Sequence, residues 1–110
     1  MTSHELQKQL NLTVFHQGDD RPVVTGYCCD LLSWVMGKAP ADCAWVTVMN
    51  NNNVAAVAVL CDAACIILAQ GAKPDANLQK RAELEGLNLY GSELDAYPLA
   101  IAMGQLLKEA

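Results

Sequence analysis

Nine positions in the sequence join polar chemistry to a place beside an apolar run: Asp30, Thr47, Asn50, Asn51, Asn52, Asn53, Gln70, Gly71 and Ser92. They supply one carboxylate, two hydroxyls, five carboxamides and a backbone joint. Carboxamides and hydroxyls hydrogen-bond a polar ligand in either direction. The same groups also cap helices and close turns. The sequence leaves both readings open for Asn50–Asn53: Asn53 as the N-cap of a following helix with a tight turn before it, or the stretch as one wall of a ligand site. Gly71 reads first as a backbone joint, Ser92 and Asp95 as caps, and Asp30 equally as a cap or as the acid of a site.

Catalytic constellations are missing. No G-x-x-x-x-G-K-[ST] loop, G-x-G-x-x-G fingerprint or G-x-S-x-G elbow occurs in the sequence. His4 and His16 lie in the polar N-terminal region without a cysteine or serine partner nearby in sequence. Five cysteines are present, Cys28, Cys29, Cys43, Cys61 and Cys65. An odd number in a chain with no signal peptide argues against a disulfide framework. Most of them neighbour apolar or small residues, as buried thiols do. The Cys-x-x-Cys pairs of zinc and iron–sulfur sites are absent. No cofactor and no resident metal is expected, and a metal- or redox-linked role is the minor alternative.

Composition narrows the partners. Of the 110 residues 53% are hydrophobic and 17% charged, with a formal net charge of −5. The seven lysines and arginines are dispersed, whereas nucleic-acid binders concentrate theirs; nucleic acid and anionic membrane are therefore not expected as partners. No apolar run approaches the ~20 residues that cross a bilayer. The start, MTSHELQKQL, has no basic and apolar leader pattern, which sets the expected location as the cytoplasm. The length suits one domain over residues 1–110.

The elements that must hold these positions follow from periodicity and punctuation. Ser3 is read as the N-cap of a short helix through Leu6 and Leu10, and Leu12–Phe15 as a strand. The polar turn HQGDDRP leads to a second strand, Val23–Cys28. Asp30 then caps a helix LLSWVM that stops at Gly37. Residues 43–49 and 65–69 are continuously apolar and read as strands buried on both faces. Residues 54–63 read as a buried helix that Asp62 helps to end. A helix opened by Asp75 and closed by Gly86 carries Gln79, Lys80, Glu83 and Glu85 on its exposed face, and 87–90 is a short strand. Asp95 caps a last helix, with Pro98 in its first turn and apolar positions at 97, 101, 103, 106 and 107. Three strand–helix units in succession predict an α/β domain: a mostly parallel sheet in three layers with right-handed crossovers. In such sheets ligands bind beyond the carboxyl ends of the strands, where helix N-termini present free N–H groups. Asn50–Asn53, Gln70-Gly71, Ser92 and Asp30 all fall there.

Order and spacing also carry a resemblance. VTVMNNNNVAAVAVLCDAACIILAQGAKPD followed by GLNLYGSELDAYPLAIAM resembles the DRTGG domain family over nearly the whole chain. Asn51-Asn52-Asn53 stands where that family has Gly-Asp-Arg. Ala69-Gln70-Gly71 stands for Thr-Gly-Gly, followed by Lys73-Pro74-Asp75, and Asp95-Ala96-Tyr97 for Asp-Thr-Tyr, with Ala100 three residues on. VTGYCCDLLSWVM is similar to the small stand-alone members, which are encoded near iron hydrogenase subunits. The family is similar to the non-catalytic N-terminal domain of HPr kinase, the sugar-regulation kinase, and to an N-terminal domain of the peptidoglycan ligases. The resemblance implies a regulatory or dimerising module rather than a kinase. The family arginine and the threonine of Thr-Gly-Gly are absent here, so an anion loses its charge-assisted partner while a neutral polar ligand keeps its hydrogen bonds.

The expected function is a non-catalytic regulatory or interaction module. It is expected to form a homo-oligomer and to offer a small-ligand cleft at the strand ends. The alternatives are a nucleotide or sugar-phosphate sensor, and a redox- or metal-linked accessory subunit of a hydrogenase-type complex.

Overall fold

The structure is a computed structural model and describes residues 1–109. Its elements in chain order are α1 (Ser3–Gln9), β1 (Thr13–His16), β2 (Thr25–Cys28), α2 (Leu32–Lys38), β3 (Cys43–Thr47), α3 (Asn52–Cys61), β4 (Cys65–Leu68), α4 (Ala76–Glu85), β5 (Leu89–Gly91) and α5 (Ala96–Glu109). The strands form one sheet in the order β1-β5-β4-β3-β2. β2, β3, β4 and β5 run parallel, and β1 pairs antiparallel with β5. The expected mostly parallel α/β sheet is present.

Alternation along the strands divides the core into two. Cys43 and Trp45 of β3, Ile66 and Leu68 of β4 and Leu89 of β5 pack with Val35 of α2, Val54 of α3 and Leu78 of α4. Ala44, Val46, Cys65, Ile67 and Tyr90 point the other way, onto Leu6 of α1 and Leu99 and Met103 of α5. The three crossover helices thus share one face, and the two terminal helices cover the other. Burial on both faces explains why β3 and β4 read as unbroken apolar runs, since no position of either strand faces water. Trp45 is fully buried, and its indole N–H donates to the Cys29 carbonyl at 2.9 Å. Burial pushes the Cys43 thiol up to about 11 and Cys65 to about 12, so both are small hydrophobes at neutral pH.

Local signals place several boundaries. Asp75 caps α4 by accepting from Leu78 N–H at 2.7 Å, and Gly86 closes it at φ 66°. Asp62 ends α3 in the left-handed region, at φ 57°. Other expectations need correction. Thr2, not Ser3, caps α1, through a reciprocal box with Glu5; Ser3 is inside the helix and fully buried. α2 passes through Gly37 to Lys38, and its N-cap is Leu31, which offers no side-chain bond, because the Asp30 carboxylate is bonded elsewhere. α3 begins at Asn52, and its cap is Asn51, whose side chain accepts from Asn53 N–H at 2.9 Å. Asn53 is therefore a first-turn residue, not the cap. Gln79 is not simply solvated: its amide donates to the Phe15 carbonyl of β1 at 2.9 Å. On α5 the core face is Leu99 and Met103, while Tyr97 and Ile101 face outward. Among the described residues no helix is long and apolar enough to cross a membrane.

Candidate functional site

The parallel strands all end at one edge of the sheet. There β2 delivers Cys29 and Asp30, β3 delivers Thr47 to Asn51, β4 delivers Gln70 and Gly71, and β5 delivers Ser92. The sequence positions therefore share an edge, but the side chains divide among separate places.

The first place is a cleft where β2 and β3 run out, on the face covered by α5. Asp30, Thr47, Gln70 and the start of α5 at Ala96 line it, with Cys28 and Val48 beside them. It encloses about 440 Å³, part of it open to solvent. Asp30 anchors it. One carboxylate oxygen accepts from the Thr47 hydroxyl at 2.7 Å and from Val48 N–H at 2.9 Å. Thr47 is buried, and its hydroxyl oxygen accepts in turn from Met49 N–H at 3.2 Å. This chain of bonds fixes one face of the Asp30 carboxylate and ties β2 to β3 beyond their last ladder pair, Cys28 with Val46. Gln70 holds φ 60°, in the left-handed region that carboxamide residues tolerate. Its backbone N–H is spent on the Leu94 carbonyl, and its side chain is exposed. Partial burial, with the negative charge of Asp30 nearby, pushes the Cys28 thiol up. Cys28 is thus a protonated rim residue at neutral pH, a poor nucleophile and a poor metal ligand.

Gly71 and Ser92 belong to a second recess, with Phe15, Lys73 and Glu93. Gly71 has φ 71°, and a Cβ there would lie 2.6 Å from a Glu93 carboxylate oxygen. It is a backbone joint under a carboxylate. Ser92 Oγ accepts from Leu94 N–H at 3.1 Å, which closes the turn before α5.

The asparagines do not line the cleft. Asn50 donates its amide to the Lys73 carbonyl at 2.9 Å, while its own carbonyl accepts from Asp75 N–H. It therefore ties the β3–α3 joint to the β4–α4 joint. Asn51 is the cap, and Asn52 borders a shallow recess beside Lys80 and Leu84 of α4. The structure gives Asn50 and Asn51 structural bonds and brings only Asp30, Thr47 and Gln70 of the expected set into one cleft. Cys28, Val48 and Ala96 were not anticipated there. Ala96 was readable as the first residue after a helix cap, but which strand that helix end would face was not.

A larger recess, about 620 Å³, is at the other end of the sheet, around Asp19, Arg21, Asp62 and Glu85. Its cation is already committed: Arg21 donates to the Ala63 carbonyl at 2.9 Å and to the Asp42 carboxylate at 2.6 Å, and pairs with the Asp62 carboxylate at 3.1 Å. No group of three or more His, Cys, Asp or Glu side chains placed to hold a metal occurs among the described residues.

No protein-family model matches the chain, and no curated protein matches it. The chain is similar to a solved structure of the CBS and DRTGG domains of the regulatory region of Clostridium perfringens pyrophosphatase, complexed with the activator diadenosine tetraphosphate. The likeness has a TM-score of 0.70 at 7% identity, and it covers 93% of this chain and 46% of that one. The chain spans less than half of the region it matches, and at this identity the likeness is one of fold. The chain thus has the fold found in a regulatory region that contains DRTGG and CBS domains.

Proposed function

We propose that this chain is a non-catalytic regulatory module that takes a small polar ligand in the Asp30–Thr47–Gln70 cleft and pairs with a second copy of itself. One observation carries the ligand reading. At the strand-end edge, the cleft keeps an exposed carboxylate held rigidly by Thr47 and Val48 N–H, with an unspent carboxamide opposite. The fold likeness supports a regulatory role, because the similar structure is an enzyme's regulatory region bound to a nucleotide activator.

Cleft chemistry refines the ligand class. No lysine or arginine lines the cleft, and Asp30 contributes a negative charge. A polyphosphate would meet only the α5 N-terminus and would lack charge-assisted partners. A hydroxyl-rich or amine-bearing group suits a carboxylate acceptor and a carboxamide, so a nucleoside or a free sugar fits better than a nucleotide or a sugar phosphate.

The test is a thermal-shift screen that sets nucleosides and sugars against their phosphorylated forms. A ligand selective for the folded state at 100 times its Kd stabilises by ~2.7 kcal/mol. We expect Tm to rise with an unphosphorylated compound and the rise to vanish in Asp30→Ala. A rise that persists in Asp30→Ala, or one confined to phosphorylated compounds, would move the site elsewhere. Hydrogenase subunits, implied by the sequence resemblance, are the protein partners to test by co-purification.

A further inference from the structure

The two edges of the sheet are finished differently. At the β1 edge the ladder is broken by an irregularity between Val14 and His16. The Gln79 amide covers the Phe15 carbonyl there, and the His16 ring bonds the Leu87 carbonyl at 2.7 Å. Bulges and side-chain covers of this kind stop a sheet edge from recruiting another strand. β2, the opposite edge, has none of them. Its residues, Thr25-Gly26-Tyr27-Cys28, include no charge and no proline, and its register with β3 is unbroken. Cys29 N–H is bonded to the Val46 carbonyl at 3.2 Å, and Gly26 pairs with Ala44 and Cys28 with Val46. Alternation along the parallel ladder then bonds Thr25 and Tyr27 to β3 and turns the N–H and C=O groups of Gly26 and Cys28 outward.

Apolar side chains accompany this open edge. Val24 is 63% exposed, Leu31 53% and Trp34 56%. In a chain of net charge −5, the stretch from Val23 to Trp34 holds a single charge, Asp30, and that carboxylate is engaged with Thr47 and Val48. The stretch is therefore a partly apolar patch with unpaired backbone groups on a molecule that is otherwise acidic, and a cation, Lys38, lies against it, its ammonium 4.6 Å over the Trp34 ring.

Size decides what can cover it. A four-residue strand is only ~13 Å long, too small alone for the ~800 Å² per partner of a stable interface. The occupant must also cover side chains in the helical layer, where Leu31 and Trp34 lie, and a single added strand stays within the sheet. A second copy meets both needs. With β2 antiparallel to its own image across a two-fold axis, each outward N–H meets a carbonyl, and the Val24–Leu31–Trp34 patch meets itself in an isologous contact. We propose that the β2 edge is the surface through which two copies of this chain pair, joining their sheets into one. The proposal rests on the self-association reading above and assigns its surface.

Sedimentation of the full chain tests it, with Cys28→Pro and Trp34→Glu. Proline is tolerated on an edge strand where the N–H points outward, so Cys28→Pro removes a pairing donor and leaves the ladder to β3 intact. Trp34 is an exposed side chain, and its replacement leaves the core untouched. At roughly 100 μM, where a micromolar dimer is nearly all associated, the unmodified chain should be dimeric, with the Gly26 and Cys28 amides protected from hydrogen exchange. Each variant should weaken the dimer about 30-fold with an unchanged circular dichroism spectrum. If Cys28→Pro fails to fold, Trp34→Glu decides alone. A dimer that both folded variants leave intact would overturn the edge while sparing self-association. A monomer at that concentration would overturn both.

Discussion

The two ends of the parallel strands are built from similar residues to opposite effect. At the amino ends, polar side chains close on one another. Asn88 is 3% exposed; its amide oxygen accepts from Gly18 N–H at 2.8 Å, and its amide nitrogen donates to the Asp19 and Ala64 carbonyls at 2.9 and 3.1 Å. The hydroxyl of fully buried Tyr90 donates to Gln17 at 2.7 Å. Arg21 clamps Asp42 and Asp62 beside them. Among the described residues no buried side-chain nitrogen or oxygen lacks a partner. At the carboxyl ends, Asp30 and Gln70 keep exposed capacity around an open cleft. A saturated buried network rigidifies and specifies structure; an exposed acceptor held in place is available to a ligand. Polar residues at a sheet edge thus mark a site only where their partners run out.

The largest predicted effect tests the closed end. Asn88→Ala strands Gly18 N–H and two carbonyls in the core, and unpaired buried groups cost ~1–3 kcal/mol each. We expect a loss of about 3 kcal/mol by urea denaturation. A cost no greater than that of Asp30→Ala would break the comparison.

Alkaline pH probes the same end next, because Cys43 and Cys65 begin β3 and β4. Their folded pKa values, about 11 and about 12, lie above that of an unfolded thiol, ~8.5. The unfolded chain then releases protons that the folded chain keeps. The stability from these thiols is complete below pH ~8.5 and declines as pH rises toward 11–12. Tm should fall steadily from pH 8 to pH 10 (~8 to ~10 on either side of the free thiol value), less so in Cys65→Ala. A thiol reagent on the native protein should label Cys28, which is exposed, and spare buried Cys43 and Cys65. Equal labelling of all three would show the closed end to be open.

At the open end, Asp30→Ala removes two hydrogen bonds to an exposed carboxylate and should cost about 1 kcal/mol, together with the ligand response. The smallest effects separate cap from first turn. Asn51→Ala should cost ~1 kcal/mol as a lost N-cap, whereas Asn53→Ala should be within ~0.5 kcal/mol of neutral. The reverse order, measured by denaturant midpoints, would restore Asn53 as the cap.

Much of the frame was legible. β3 and β4 announced themselves as unbroken apolar runs because both faces are covered, and Asp75, Asp62 and Gly86 marked helix ends by local chemistry alone. Asp30 was legible as important but not in its role: a carboxylate before a helix usually caps it, and this one turns instead to Thr47, 17 residues away. Asn88 and Arg21 drew no attention and Ser3 was read only as a cap, since each looks like an ordinary surface residue until the chain brings its partners, up to 85 residues away, against it. The outward face of α5 was not legible because Tyr97 and Ile101 are as apolar as the residues that do face the core.

By itself the sequence determined the alternation of strand and helix, the parallel sheet and the edge at which the polar positions gather. Those follow from periodicity, turn residues and caps, which act over a few residues. Only the tertiary structure decided which polar groups remain available. It spent Asn50 and Asn51 on joints, sealed Asn88 and Arg21 into the amino-end network, and left Asp30, Gln70 and the β2 edge open. That choice depends on which distant donor or acceptor each group meets, and hydrogen bonds between residues far apart in the chain leave no periodic trace in it.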